Sequence, residues 1–263
     1  MNKVKRGKVS VAFFAIVLML GLPGVTHAST ILLGSDYFQT VSGTFFTFPG
    51  IGPVQFQGGP PVGPGNTDTI VQRQADATAI PGGPPALPIP IQIESLSLKS
   101  IAPVNVGGSF FDVFVDLAGT QSKGTMTISE NASSTGGTFN SFLPVNFDAM
   151  FKPVGGGTGF MIPGSTTLTG TDTQWTTIIP TSAVAVSGPV GDQAANVHGP
   201  LGAGDVDFYP VGVFSEVKPD GSGAHAVRLA TIPEGSTLLL FMTGLSGLGG
   251  IAYRRNPKPR PMS

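Results

Sequence analysis

Between residues 109 and 151 apolar side chains recur at every second position, and that period constrains the fold more than any other feature of the chain. In "FFDVFVDLA", Phe111, Val113, Val115 and Leu117 share one parity, against Asp112 and Asp116 on the other. In "TFNSFLPVNFDAMF", Phe139, Leu143, Val145, Phe147, Ala149 and Phe151 oppose Asn140, Asn146 and Asp148. A period of two places each set on one face of a strand; a helix would need a period of 3.6. The stretch "IPIQIESLSLKS" carries Ile89, Ile91 and Ile93 on odd positions but Leu96 and Leu98 on even ones. One extra residue at Glu94-Ser95, a β-bulge, would return all five to one face. Further strands are expected over 37–48, 68–72, 125–130 and 174–179. Pro144 removes a ladder donor, so its strand is expected at a sheet edge or split in two.

The chain has 38 glycines and 24 prolines, gathered mainly in 49–65, 81–90 and 153–164, which read as loops. That content approaches the composition of disordered chains, but alternating strands in a chain of 18 phenylalanines, three of them in the terminal segments, supply a core. The expectation is one all-β domain over 29–230, a two-sheet antiparallel β-sandwich or jelly roll. No repeat at a fixed period points to a solenoid or propeller.

The two ends read differently. Lys3, Lys5, Arg6 and Lys8 precede the apolar run Val9–Leu22, and Thr26-His27-Ala28 follows. This is the pattern of a secretory signal peptide over 1–28, cleaved between Ala28 and Ser29. Its apolar run of 14 residues is shorter than the roughly 20 that a membrane span uses. The absence of cysteine means that an exported chain of this kind is stabilised without disulfides, and that thiolate chemistry is excluded.

Near the C-terminus, Leu238–Tyr253 carries no charge, and as a helix it would be about 24 Å long, close to the lower limit for a transmembrane helix. Leu238, Leu239, Leu240, Phe241, Leu245, Leu248 and Ile251 would face hydrocarbon, while Arg254 and Arg255 form a basic stop on the cytoplasmic side. The stretch "IPEGSTLLL", an apolar run and terminal arginines together resemble the PEP-CTERM sorting signal. Pro233 and Glu234 match the family's Pro-Glu-Pro motif, and Gly235 stands where the second proline belongs. The resemblance covers Ile232 to about Arg255, within an anchor segment over 231–263. It implies a membrane-embedded exosortase as processing partner, and delivery to the cell surface or the extracellular polysaccharide matrix of a Gram-negative-type bacterium.

Charge narrows the partners. Between Ser29 and Pro233 six basic residues face fourteen acidic ones, a net of −8, which repels nucleic-acid phosphate and anionic lipid. Among side chains able to do chemistry, His198 in "NVHGP" and His225 in "GAHAV" lack zinc spacing and read as solvated loop histidines. No phosphate loop and no G-x-S-x-G nucleophile elbow is present; "GLSGLG" in the C-terminal apolar run comes close, where its small residues serve packing. Calcium is the one metal considered, through Asp205 and Asp207, two apart beside glycines. Asp112 and Asp116 would lie roughly 13 Å apart along a strand, too far for one ion. Trp175, the sole tryptophan, reads as core or partly buried rather than as a sugar platform. The resulting expectation is an exported structural or interaction protein of the surface or matrix, binding extracellular polysaccharide, with no catalysis evident. A carbohydrate-binding module is the alternative, and a secreted hydrolase the third reading.

Overall fold

A computed structural model of the chain describes residues 27–181, 183, 202 and 204–231. The expected signal segment up to Thr26, His198, the expected sorting motif Pro233–Gly235, the apolar run and Arg254–Arg255 lie outside the described residues. Within them every regular element is a strand. In chain order these are β1 (Ser29–Ile31), β2 (Gly34–Thr40), β3 (Phe45–Phe48), β4 (Gly52–Gly58), β5 (Thr69–Arg73), β6 (Ala77–Ala79), β7 (Ile89–Ser100) and β8 (Val104–Val106). They continue as β9 (Ser109–Leu117), β10 (Gly124–Glu130), β11 (Gly136–Pro153), β12 (Phe160–Thr176), β13 (Asp205–Val206), β14 (Tyr209–Pro210), β15 (Phe214–Val217) and β16 (Gly223–Leu229). No helix among the described residues is long and apolar enough to cross a membrane.

The all-β expectation holds, but the strands do not part into two separate sheets. Hydrogen bonding runs β12–β15–β16–β2–β5–β7–β10–β11 and returns from β11 to β12, closing an eight-stranded barrel. Closure leaves none of these eight strands a free edge along that ring. At the other end of the same long strands the partners change. There β3 and β4 bridge β16 to β7, and β9 bridges β7 to β11. A separate three-stranded sheet orders β13, β1 and β6, with β1 parallel to β13 and antiparallel to β6.

The partner switch explains Pro144. β11 is continuous and central, paired with β12 along its length, rather than an edge strand or two pieces. On its other side it pairs with β10 up to Phe142 and with β9 from Phe147 onward. Pro144 lies in the gap between those partners, where a missing N–H costs no ladder bond. The Gln121 side chain fills the gap: its Oε1 accepts the Asn146 amide at 2.9 Å, and its Nε2 donates to the Asn146 carbonyl at 2.9 Å.

The bulge on β7 lies where the parity slip places it. Ile70 of β5 faces Ser95 and Val71 faces Ile93, so Glu94 is the extra residue, and it is exposed. Ile89, Ile91, Ile93, Leu96 and Leu98 are all buried as a result. All three expected loops overlap strands, the 81–90 run only at its end, where β7 begins at Ile89. β4 lies within 49–65, with Val54 and Phe56 buried, and β12 begins at Phe160. The run 37–48 is broken by a turn between β2 and β3, and the last strand of the 174–179 candidate stops at Thr176.

Candidate functional site

The strand parity that buries apolar residues also turns a set of polar ones inward. Asp36 and Thr40 come from β2, Thr69 and Arg73 from β5, Ser141 from β11, Glu216 from β15 and His225 from β16, all of them buried. Asp68, just before β5, joins them at 2 % exposure. Burying so many polar groups is tolerated only where each is hydrogen-bonded or paired.

Three connected groups meet that condition. In the first, the Asp68 carboxylate accepts the Thr40 amide at 2.8 Å, the Thr40 hydroxyl at 2.6 Å and the Thr69 hydroxyl at 2.9 Å. Because the Thr40 hydroxyl gives its proton to Asp68, its oxygen is the acceptor toward His225 Nε2, 3.1 Å away. That bond assigns the proton of the neutral imidazole to Nε2. Burial pushes the His225 pKa down to about 4, so the ring is neutral around pH 7. Burial also pushes the Asp68 carboxyl up, against the lowering effect of its hydroxyl and amide donors. The carboxylate rests against Gly58, where a Cβ would come within 2.1 Å of Asp68 Oδ2, so only glycine fits there.

In the second group Glu216 stands directly across the ladder from His225 and is buried. It accepts the Ser141 hydroxyl at 2.7 Å, and burial raises its pKa. In the third, Arg73 pairs with Asp36, donates from Nε to the Leu32 carbonyl at 3.3 Å, and lies 4.7 Å above the Phe208 ring. Beside it the Tyr209 hydroxyl donates to Asp207 at 2.7 Å. Burial foremost, then that bond and the charges of Asp207 and Asp36, raises the tyrosine pKa.

Asp36, Thr69, Glu216 and His225 contribute to the wall of a cavity of about 20 Å³, otherwise lined mainly by apolar side chains such as Phe38 and Phe139. Such a space accommodates a water molecule and no larger ligand. Glu216 and His225 are types that serve as acid and base. Here burial drives both toward their neutral forms.

The opposite end holds a groove of about 270 Å³ beside Phe48, Phe147, Ser165 and Lys218. Phe46 and Phe48 present buried rings there rather than an open aromatic platform. Phe147 covers Gly164 across the ladder, where a Cβ would meet the ring at 2.5 Å.

The residues singled out from the sequence fall in separate places. His225 is not a solvated loop histidine; β16 carries it into the core at 2 % exposure. Trp175 is buried at 3 %, stacked on Phe208 with centroids 5.2 Å apart, and its indole N–H donates to the Ser129 carbonyl. Asp205 accepts the Gly202 amide at 3.0 Å, whereas Asp207 turns to Tyr209. Among the described residues no three acidic or histidine side chains converge in a way that could hold a metal ion. Ala28 is exposed and Ser29 begins β1. Asp36, Thr40, Asp68, Thr69 and Glu216 were not singled out in the sequence. The available signal was parity with apolar neighbours, as in His225-Val227-Leu229 and Asp36-Phe38-Thr40. Comparison with known proteins returns no matching family, no matching curated protein and no matching solved structure.

Proposed function

We propose that this chain is an exported structural or interaction protein of the cell surface or extracellular matrix, acting through its exterior and without catalysis. The signal peptide ends at Ala28. The C-terminal transmembrane helix over Leu238–Tyr253 holds the protein in the membrane until an exosortase-type enzyme acts at Pro233-Glu234-Gly235. Extracellular polysaccharide is the partner, bound weakly and at many points by polar loops of a domain carrying −8.

The observation that carries this reading is the location of the reactive side chains. His225 with Thr40, and Glu216 with Ser141, are buried in the barrel beside a water-sized cavity. A large partner meets only the outer surface.

Two measurements test it. Purified protein is sedimented with the producer's own extracellular polysaccharide, and the polymer is sized before and after. Co-sedimentation with unchanged polymer length is expected; shortened sugars, or no co-sedimentation at any salt concentration, would overturn the reading. Deleting Leu238–Tyr253 should move the protein from the membrane fraction to the medium, and identical fractionation of both forms would remove the anchor.

A further inference from the structure

The boundary between Ala28 and Ser29 is sharp in space as well as in sequence. His27 and Ala28 are exposed and unpaired with any strand, whereas Ser29 is 6 % exposed and starts β1 against Ala79 of β6. The Ser29 hydroxyl donates to Glu130 Oε1 at 2.8 Å. Glu130, at the end of β10, is only 4 % exposed, and its second oxygen, Oε2, has no hydrogen-bond partner among the described residues. Burial raises its pKa, and the single serine bond only partly offsets that effect. A buried carboxylate with one oxygen unsatisfied is the kind of group that calls for an opposite charge.

We infer that Glu130 is the built-in receptor for the α-ammonium group that signal-peptide cleavage creates on Ser29. The inference rests on the export reading above for the position of that cleavage. Hydrolysis breaks the C–N bond between Ala28 and Ser29. Water's hydroxyl goes to the Ala28 carbonyl carbon, and the freed Ser29 amine takes up protons and becomes positive near neutral pH. The amine nitrogen is covalently confined to within about 3.8 Å of its own Oγ. Oγ in turn lies 2.8 Å from Glu130 Oε1, so the new charge forms no more than about 6.6 Å from that oxygen, a gap that rotation of the two side chains can close to pairing range.

The backbone supports the same placement. The Thr30 amide donates to the Gly204 carbonyl on the β13 side, so the Ser29 nitrogen, one residue earlier, faces β6. One ammonium proton can retain that ladder bond while the others serve Glu130. Before cleavage the same nitrogen is a neutral amide and offers no charge. Processing therefore stabilises the fold at the moment it frees it.

The test is a two-by-two comparison on the chain running from Ser29 to Ser263. One form starts at Ser29 and the other retains Thr26-His27-Ala28, each with Glu130 or with Glu130→Gln. With Glu130 present, the free terminus should raise the thermal midpoint by about 2–4 °C over the extended form. With Glu130→Gln the difference should vanish, and an equal difference in both backgrounds would overturn the pairing. If Glu130→Gln does not fold, the Ser29 α-amine is titrated by NMR in the unaltered chain. A pKa about one unit above the ordinary 7.7–8.0 supports the pair, and an ordinary value overturns it. N-terminal sequencing of exported protein separates the two layers. A start other than Ser29 would overturn the processing boundary, whereas a comparison without coupling would overturn the ion pair with that boundary intact.

Discussion

The two ends of the barrel are built from the same long strands but held by different physics. At one end Phe46, Phe48, Phe56, Phe111, Phe147, Phe151 and Phe160 form a chain of ring contacts, with centroids 4.7–6.3 Å apart from Phe151–Phe160 to Phe48–Phe56. At the other, Asp36–Arg73, Asp68–Thr40–His225 and Glu216–Ser141 sit among apolar neighbours. Ring packing is attractive over a broad range of offsets and tilts, so neighbours can adjust to a substitution. A buried polar group has one or two acceptable geometries, and losing a partner leaves the other group stranded. The polar end should therefore be the more sensitive to single changes, although it buries fewer rings.

The sharpest way to break that comparison is at the ion pair. Arg73→Met leaves Asp36 buried without its cation, and should cost about 3–5 kcal/mol in chemical denaturation. Combining it with Asp36→Leu should restore much of the loss, because two apolar groups strand no charge. A double variant as unstable as the single one would mean that the pair is not the determinant.

Acid provides the next largest effect. Folded His225 takes up a proton only below about pH 4, whereas in the unfolded chain it does so near 6.5. Between those values the unfolded state binds more protons, so the histidine's contribution is present above 6.5 and is lost as pH falls to 4. The loss amounts to about 3 kcal/mol. Glu216 and Asp68 act in the opposite sense, because their raised folded pKa values let the native state hold protons that the unfolded chain has released. The difference between the native protein and His225→Gln, measured by denaturant titration from pH 7 to 4, isolates the histidine. A constant difference across that range would contradict a buried neutral ring.

The smallest effect is expected in the phenylalanine cluster. Phe56→Leu keeps an apolar side chain at a position that is fully buried, and should cost about 1–2 kcal/mol. A loss equal to that of Arg73→Met would erase the distinction between the two ends.

The comparison also marks how far the sequence could be read. Strand identity was legible wherever apolar parity ran unbroken, as in β9 and β11, and the bulge at Glu94 was legible because the parity slipped by one. β4 was hidden because only Val54 and Phe56 alternate inside a run of glycines and prolines. Closure into a barrel was not legible, since parity says which face is buried and nothing about which strands are neighbours. The polar interior was missed for a related reason. Asp36, Asp68 and Glu216 occupy inward positions, but charged residues are counted as outward when a strand is read by hydropathy alone. His225 sits between Ala224 and Ala226, and its membership of the core rests on Val227 and Leu229 two and four positions later.

The pairing of β16 with β2 has a temporal consequence. Thr40 of β2 faces Val227, and the Arg228 guanidinium reaches back 189 residues to Gln39. At about 5–20 residues per second of synthesis, roughly 10–40 s separate the two strands' appearance. Throughout that interval β2 lacks its neighbour and the ring is an open ribbon, with an edge available to whatever strand comes near. The ring closes only once β16 (Gly223–Leu229) has been made, so a ribosome stalled before it would release a ribbon, while one that passes it allows a ring.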